Sequence, residues 1–395
     1  MSNLAHGELV ASPAFRLLVA CADWPRSDAR NAAIREAAAV PGAMGPVTSG
    51  PSLMDLVDRH RMAPIALDGL TCAGVDLPDR LLERAQQDKM QALAIAREGR
   101  KLIELLASHG IEAIMLKGPV LSQYLYGDPG MRQSIDLDLM VDWENFAAAR
   151  KLLGEQDFAL VGTEPPWGER RMDLWRLGGK DVTLIRHGRG LRVELHHRLK
   201  TPEALLPGFT IARATNAVSL AGTQFRTFTR KDLFVYLAVH EATTLWHRLK
   251  WLADLRALLV GCSVAEIEQM VDHARKYRVE RCAALALLLC HRFWQQELPA
   301  GVLRMREEDP RLAQLETGSL QVLADPDDRM RNFGQTRVTT TTFHLRNDWD
   351  YRRSLLGSIL FEPDIVASFR LPRALSFLYI PLRLVVWFRR RQKQG

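Results

Sequence analysis

Ile111-Glu112-Ala113-Ile114-Met115-Leu116-Lys117-Gly118 and, after a short intervening stretch, Ile135-Asp136-Leu137-Asp138-Leu139-Met140-Val141 are the segments whose reading decides the fold. The first is a mainly apolar run, a strand over Ile111–Leu116, and it stops at a glycine. The second is an apolar run carrying carboxylates at two alternate positions. Side chains of a strand alternate between faces, so a strand over Ile135–Val141 directs Asp136 and Asp138 to the same side. Two carboxylates side by side in apolar surroundings repel each other, and burying charge without a partner is costly. D-x-D is common in loops. Its place inside an apolar strand is what gives it weight here.

Working outward, Gly118 opens a helix over Gly118–Tyr126 directly after the first strand. Backbone N–H groups at such a junction cradle phosphate oxygens, and glycine lets the phosphate come close. Lys117 adds a positive charge there; the structural alternative is an ordinary turn with a solvent-facing lysine. Arg132 ends a loop just before the acidic strand. Its guanidinium suits bidentate phosphate binding, or serves as a structural partner for Asp136 or Asp128. Asp142 caps a helix from Trp143 to about Leu153, with Glu144 in its first turn. Phe158–Val161 reads as a further strand. Asp181–Arg186 and Leu191–His197 form a hairpin about His187-Gly188-Arg189-Gly190. In Leu191-Arg192-Val193-Glu194-Leu195-His196, Val193 and Leu195 face one way and Glu194 and His196 the other. Glu194 is then a third metal ligand or a general base, with a salt bridge to Arg192 as the structural alternative. His196 and His197 are adjacent and face opposite sides, and no histidine set has zinc spacing. No GxSxG, Walker A or dinucleotide fingerprint occurs. Divalent cations, Mg²⁺ above all, would remove the repulsion within the acidic strand, and a two-metal site suits in-line displacement at phosphorus. The chemistry expected is transfer of a nucleotidyl group from a nucleoside triphosphate.

The flanks are helical. Before residue 110, Phe15–Cys21, Leu53–Leu70 and Leu81–Leu106 carry apolar residues at helical spacing, with Pro41–Pro51 and Gly74–Pro78 as loops. After residue 228, Leu233–Val260 and Val264–Trp294 are long helical candidates, with shorter ones near 311–324. Residues 325–350 read as an exposed connection with a threonine cluster, followed by helices over Asp350–Leu360 and Leu371–Phe388. His240, Trp246, Lys250 and Asp254 fall roughly on one face of the first long C-terminal helix. They line an acceptor or base pocket, or form a buried polar network. The expected fold class is α+β: a small mixed β-sheet core flanked by helical N- and C-terminal regions. The organisation is a helical region over 1–109, the core over 110–228, a helical domain over 229–325, and a linker with C-terminal helices over 326–395.

The 395 residues carry a net charge of +7, with 47% hydrophobic and 25% charged residues, ordinary values for a globular protein. A pI near 9.3 is compatible with nucleotides, RNA or an anionic membrane and diagnostic of none. Five cysteines, odd in number and without a CxxC pair, read as buried reduced thiols of a cytoplasmic protein. No signal peptide is expected, and no apolar run reaches the roughly 20 residues that span a bilayer. Leu375–Phe388 is mostly apolar and is followed at once by Arg389, Arg390, Arg391 and Lys393. That pattern fits peripheral membrane contact, or a helix on the protein's own core with a solvated basic tail. DNA binding has no strong sign.

These residues resemble the DNA polymerase β-like nucleotidyltransferase superfamily, and within it a bacterial family of uncharacterised nucleotidyltransferases. The likeness covers most of the chain. It rests on Arg59-His60-Arg61-Met62-Ala63-Pro64, Leu116-Lys117-Gly118, Tyr126, Arg132, Asp136-Leu137-Asp138-Leu139, Glu194-Leu195-His196 and the segment from Trp246 to Asp254. The resemblance implies Asp136, Asp138 and Glu194 as metal ligands. Lys117-Gly118 stands where the superfamily usually has Gly-Ser or Gly-Gly, and His197 where the family carries tryptophan. The function expected is a Mg²⁺-dependent nucleotidyltransferase acting on an unspecified acceptor. The alternatives are a non-catalytic nucleotide-binding or scaffold protein of a biosynthetic complex, and a toxin-like enzyme that modifies tRNA.

Overall fold

Alternation along three strands builds the main sheet. The computed structural model describes residues 12–45, 51–168, 171–186, 188, 190–323, 341–369 and 371–383. The strands are β1 (Ile114–Met115), β2 (Leu137–Met140), β3 (Phe158–Val161), β4 (Asp181–Arg186) and β5 (Leu191–His196), in the order β1-β2-β5-β4-β3. β2 and β5 are parallel, and the other neighbours are antiparallel, so the sheet is mixed. Leu137 pairs with Val193, Leu139 with Leu195, Val193 with Leu184 and Leu195 with Val182. All six are buried, and they form one apolar face. The same register sends Asp138, Glu194 and Thr183 to the opposite face as a row, with His196 and Asp181 paired beside them. The fold is α+β with helical flanks.

Contact density divides the chain into two units that are not consecutive in sequence. One holds Glu98–Leu116, Asp136–Ala214 and Asn347–Gly395, and contains the five-stranded sheet. In it a helix over Trp143–Glu155 buries Phe146, Ala149 and Leu153. The expected cap Asp142 precedes that helix, but its carboxylate accepts from the Ile211 N–H instead of a helix amide. Helices over Met172–Gly178, Trp349–Leu360 and Pro363–Ser368 pack together in the same unit.

The other unit holds Met1–Arg97, Lys117–Ile135 and Thr215–Arg346. Its helices are Pro13–Ala22, Asp28–Ala38, Leu53–His60, Ala63–Ala73, Gly118–Tyr126, Arg230–Ala242, Leu249–Leu258, Val264–Lys276, Glu280–Trp294, Ala300–Glu308 and Pro310–Leu323. A long helix, Leu81–Ser108, begins in this unit and ends in the other. A two-stranded hairpin, Asn216–Leu220 with Thr223–Thr227, also belongs here and is separate from the main sheet.

The structure corrects several spans. Leu53–Leu70 is two helices, because Pro64 lacks an N–H and fits only the start of a new helix. Arg61 makes the break at φ +57°. Leu233–Val260 also divides, at Leu245 and Trp246, both left-handed. The Thr243 and Thr244 hydroxyls donate to the carbonyls of His240 and Glu241 and help close the first half. Val264–Trp294 breaks at Arg278 in the same way. The strands over Ile111–Leu116 and Ile135–Val141 shorten to two and four residues, leaving Asp136 just before β2. Asp28–Ala38 is a helix the hydrophobic pattern did not show, since only Arg30 and Ile34 are buried in it. Of the helix expected over Leu371–Phe388, Arg373–Leu378 is a 3₁₀ segment and residues 379–383 are α-helical. Most of the expected connection over 325–350, and residues 384–395 of the basic apolar segment, lie outside the described residues. Of the cysteines, Cys21, Cys282 and Cys290 are buried and reduced as expected, burial pushing their thiols up to about 12. Cys72 is exposed and Cys262 half-buried, so the expectation of five buried thiols fails there.

Candidate active site

β2 and β5 lie side by side and parallel, so Asp138 and Glu194 are register partners. His196, two residues beyond Glu194, points to the same face. Ligand-capable atoms of Asp138, Glu194 and His196 all lie within 4.8 Å of one another. His196 Nε2 is 3.1 Å from Asp138 Oδ1 and 3.7 Å from Glu194 Oε2. Asp181, across β4 from His196, brings Oδ2 to 3.6 Å from Nδ1. Lys180 is ion-paired with Asp181. Arg192 Nη2 donates to Glu194 Oε1 at 3.1 Å, so the structural pairing foreseen for Glu194 coexists with its place in the cluster.

The electrostatics follow from burial and from like charges. Burial raises the Glu194 carboxyl above its ordinary range, and Asp138 adds to the rise. Burial acts the same way on Asp181, but His196 and Lys180 outweigh it and hold that carboxyl below its usual range. The face thus gathers three carboxylates, an imidazole and one ammonium. On the other side of the β5 end, His197 is buried among Trp143, Phe146 and Trp175. Burial, then Arg198, pushes its imidazole down to about 2. It packs as an aromatic, which accounts for a histidine where the resemblance leads one to expect tryptophan. A cavity of about 420 Å³ opens along β4, with Lys180, Asp181, Thr183, Trp175 and Lys200 in its wall, so it shares Asp181 with the cluster.

Sequence reasoning placed Glu194 and His196 on one face and still omitted His196 from the ligand set. The i, i+2 spacing of Glu194 and His196 on one strand face is the signal that marks His196 as a ligand. Asp136 is half-buried before β2 and is not among the three clustered groups.

The remaining predicted residues belong to the other unit. Gly118 opens its helix at φ +67°, a conformation that favours glycine, with Pro119 behind it. Lys117 is buried. Its Nζ lies 3.2 Å from Glu241 Oε1 and 5.2 Å from the Tyr236 ring centroid. Arg132 Nε donates to Asp254 Oδ2 at 2.7 Å, and Asp128 pairs with Lys89. Asp254 also accepts from Tyr126 Oη, and Lys250 Nζ donates to the Gln133 carbonyl. Burial, then Arg132, lowers the Lys250 ammonium well below its ordinary range. His240 stacks edge-on to Tyr236, and Trp246 is fully enclosed. Lys250, Asp254 and Arg132 thus form a buried polar network, with Lys117 and Glu241 as a second buried pair.

A family model described as "Uncharacterised nucleotidyltransferase" matches residues 49–295. The chain belongs to this nucleotidyltransferase family. The match spans β1 to β5 and every predicted site residue of both units. A search of curated proteins gives no significant match.

Proposed function

We propose that this nucleotidyltransferase family member transfers an NMP group from an NTP to an acceptor, using a divalent cation. The meeting of Asp138, Glu194 and His196 on one sheet face carries this reading. The donor set fits such an ion. Two carboxylates offer the hard oxygen ligands that suit Mg²⁺, and the imidazole widens the choice to ions such as Mn²⁺. Asp138, Glu194 and His196 would hold it, and Asp136 supplies a further carboxylate from just before β2. When bound, the ion neutralises charge on the triphosphate and acidifies the attacking group.

The chain's own residues do the rest. Glu194, with its raised carboxyl pKa, serves as third ligand or accepts the proton of the acceptor hydroxyl. Within the other unit, Gly118 opens a helix, a position whose backbone N–H groups suit a phosphate oxygen. Lys117 and Arg132 are positioning residues, holding the helix and loop that carry Gly118 through Glu241 and Asp254. The cavity along β4 has room for a small acceptor.

The test is incubation with each labelled NTP, Mg²⁺ or Mn²⁺ and a cell extract, following pyrophosphate release and the labelled product. Calorimetric titration with Mn²⁺ gives a readout independent of turnover, and Glu194→Gln should weaken it. Nucleotide that raises the melting temperature without any pyrophosphate release would make the protein a binder. Label found solely on tRNA would select the tRNA-modifying alternative.

A further inference from the structure

His196 stands at the end of β5, where the backbone is held on both sides. The Val141 N–H donates to the His196 carbonyl at 3.0 Å, and the His197 N–H donates to the Lys180 carbonyl at 3.0 Å. On β4, Asp181 is the register partner of His196. His196 is only 3% exposed, so its ring sits among fixed neighbours. One ring nitrogen, Nε2, faces the carboxylates of Asp138 and Glu194. The other, Nδ1, is buried with no hydrogen-bond partner, and Asp181 Oδ2 stands 3.6 Å from it.

A neutral imidazole has one nitrogen that donates and one that accepts. A nitrogen that binds a cation gives its lone pair, so the ring proton stays on the other nitrogen. A carboxylate beside that proton fixes the ring and makes the ligand nitrogen more basic. Asp181 is placed to be that carboxylate, because it stands at the nitrogen that Asp138 and Glu194 leave over. It lies outside the group of three whose ligand-capable atoms come together. Lys180, ion-paired with Asp181, balances its charge. Without that ammonium, a third carboxylate beside Asp138 and Glu194 would add to their repulsion.

We propose that Asp181 is a positioning residue for the cation site. It accepts the Nδ1 proton of His196 and so presents the Nε2 lone pair on the face shared with Asp138 and Glu194. Lys180 is the counter-charge that keeps Asp181 at its post. This role rests on the metal reading of the Asp138, Glu194 and His196 cluster. It adds a residue that acts on the ion only through the imidazole.

The experiment is calorimetric titration of the full chain with Mn²⁺, without nucleotide. Lys180→Gln together with Asp181→Ala removes one charge of each sign, so the local net charge does not change. That pair of substitutions should weaken Mn²⁺ binding roughly 10–100-fold. The same pair is then placed on His196→Asp, which keeps a ligand at position 196 and has no Nδ1. There it should change the affinity by less than about twofold, because a residue acting through the imidazole has nothing left to act on. Unchanged affinity in the first comparison overturns the proposal. So does an equal loss in both backgrounds, which would make Asp181 a direct ligand or a support of the fold. A wild-type chain that binds no Mn²⁺ is a different result: it removes the metal reading itself, and the role of Asp181 with it.

Discussion

Asp138 and Glu194 are neighbours because two strands pair, and their separation follows from sheet spacing of about 4.8 Å more than from rotamer choice. Two carboxylates fixed at that distance repel in the absence of a cation. Asp138→Asn should therefore cost about 10²-fold or more in pyrophosphate release while leaving the metal-free melting temperature equal or higher. Full activity in that variant under saturating Mg²⁺ would remove the metal reading. Glu194→Gln separates roles: loss of a ligand raises the Mg²⁺ concentration needed for half-maximal rate, whereas loss of a base lowers the rate at every Mg²⁺ concentration. Asp136→Asn asks whether the carboxylate just outside the cluster takes part; an unchanged rate would confine the site to Asp138, Glu194 and His196. At this scale much was legible, since alternation alone put Glu194 and His196 on one face. What could not be read was that Asp138 and His196, 58 residues apart, hydrogen-bond at 3.1 Å. That depends on β2 and β5 pairing in parallel, a choice local pattern does not encode.

Among the elements, two buried ion pairs tie the helix over Gly118–Tyr126 and the loop after it to the C-terminal helices of the same unit. Lys117 reaches Glu241 on the helix over Arg230–Ala242, and Arg132 reaches Asp254 on the helix over Leu249–Leu258. Removing Lys117 leaves the buried Glu241 carboxylate with His240, 3.8 Å away, in place of its ammonium partner. Lys117→Met should destabilise the protein by about 3–5 kcal/mol in urea denaturation, and adding Glu241→Leu should recover most of that loss. A Lys117→Met protein of unchanged stability that loses nucleotide binding would instead make Lys117 a direct phosphate ligand. The helices themselves were legible from apolar spacing, yet their breaks were not. Pro64 was a readable stop that a continuous pattern over Leu53–Leu70 overrode. Leu245 and Trp246 take left-handed backbone with no glycine or proline at the break. The reason is tertiary: Trp246 is fully enclosed, and the Leu249 N–H donates to His60 Nδ1, 189 residues away. No local signal marks such a turn.

Over the whole molecule, the buried His60 and His197 and the half-buried His247 make stability depend on pH. In one unit, burial and then Arg59 push His60 well below its ordinary range, and burial and then Arg248 push His247 down to about 3. In the other, His197 is down at about 2. A base whose folded-state pKa is depressed binds its proton more readily when the chain unfolds. Its contribution is fully present above the unfolded pKa near 6.5 and is lost as pH falls from there toward the folded value. Each such histidine should withdraw about 1.4 kcal/mol by pH 5.5. His197→Phe isolates one of the three. A phenyl ring fits among Trp143, Phe146 and Trp175, at the expense of the hydrogen bond from Nε2 to the Gly179 carbonyl, 3.2 Å long. That loss should cost about 1 kcal/mol at pH 7.5. Because the variant has no proton to take up, wild type should lose its advantage on acidification, and the two melting temperatures should meet or cross near pH 5.5. Melting curves recorded from pH 7.5 to 5.5 decide the matter: a constant gap between wild type and variant across that range would mean His197 does not titrate between folded and unfolded states.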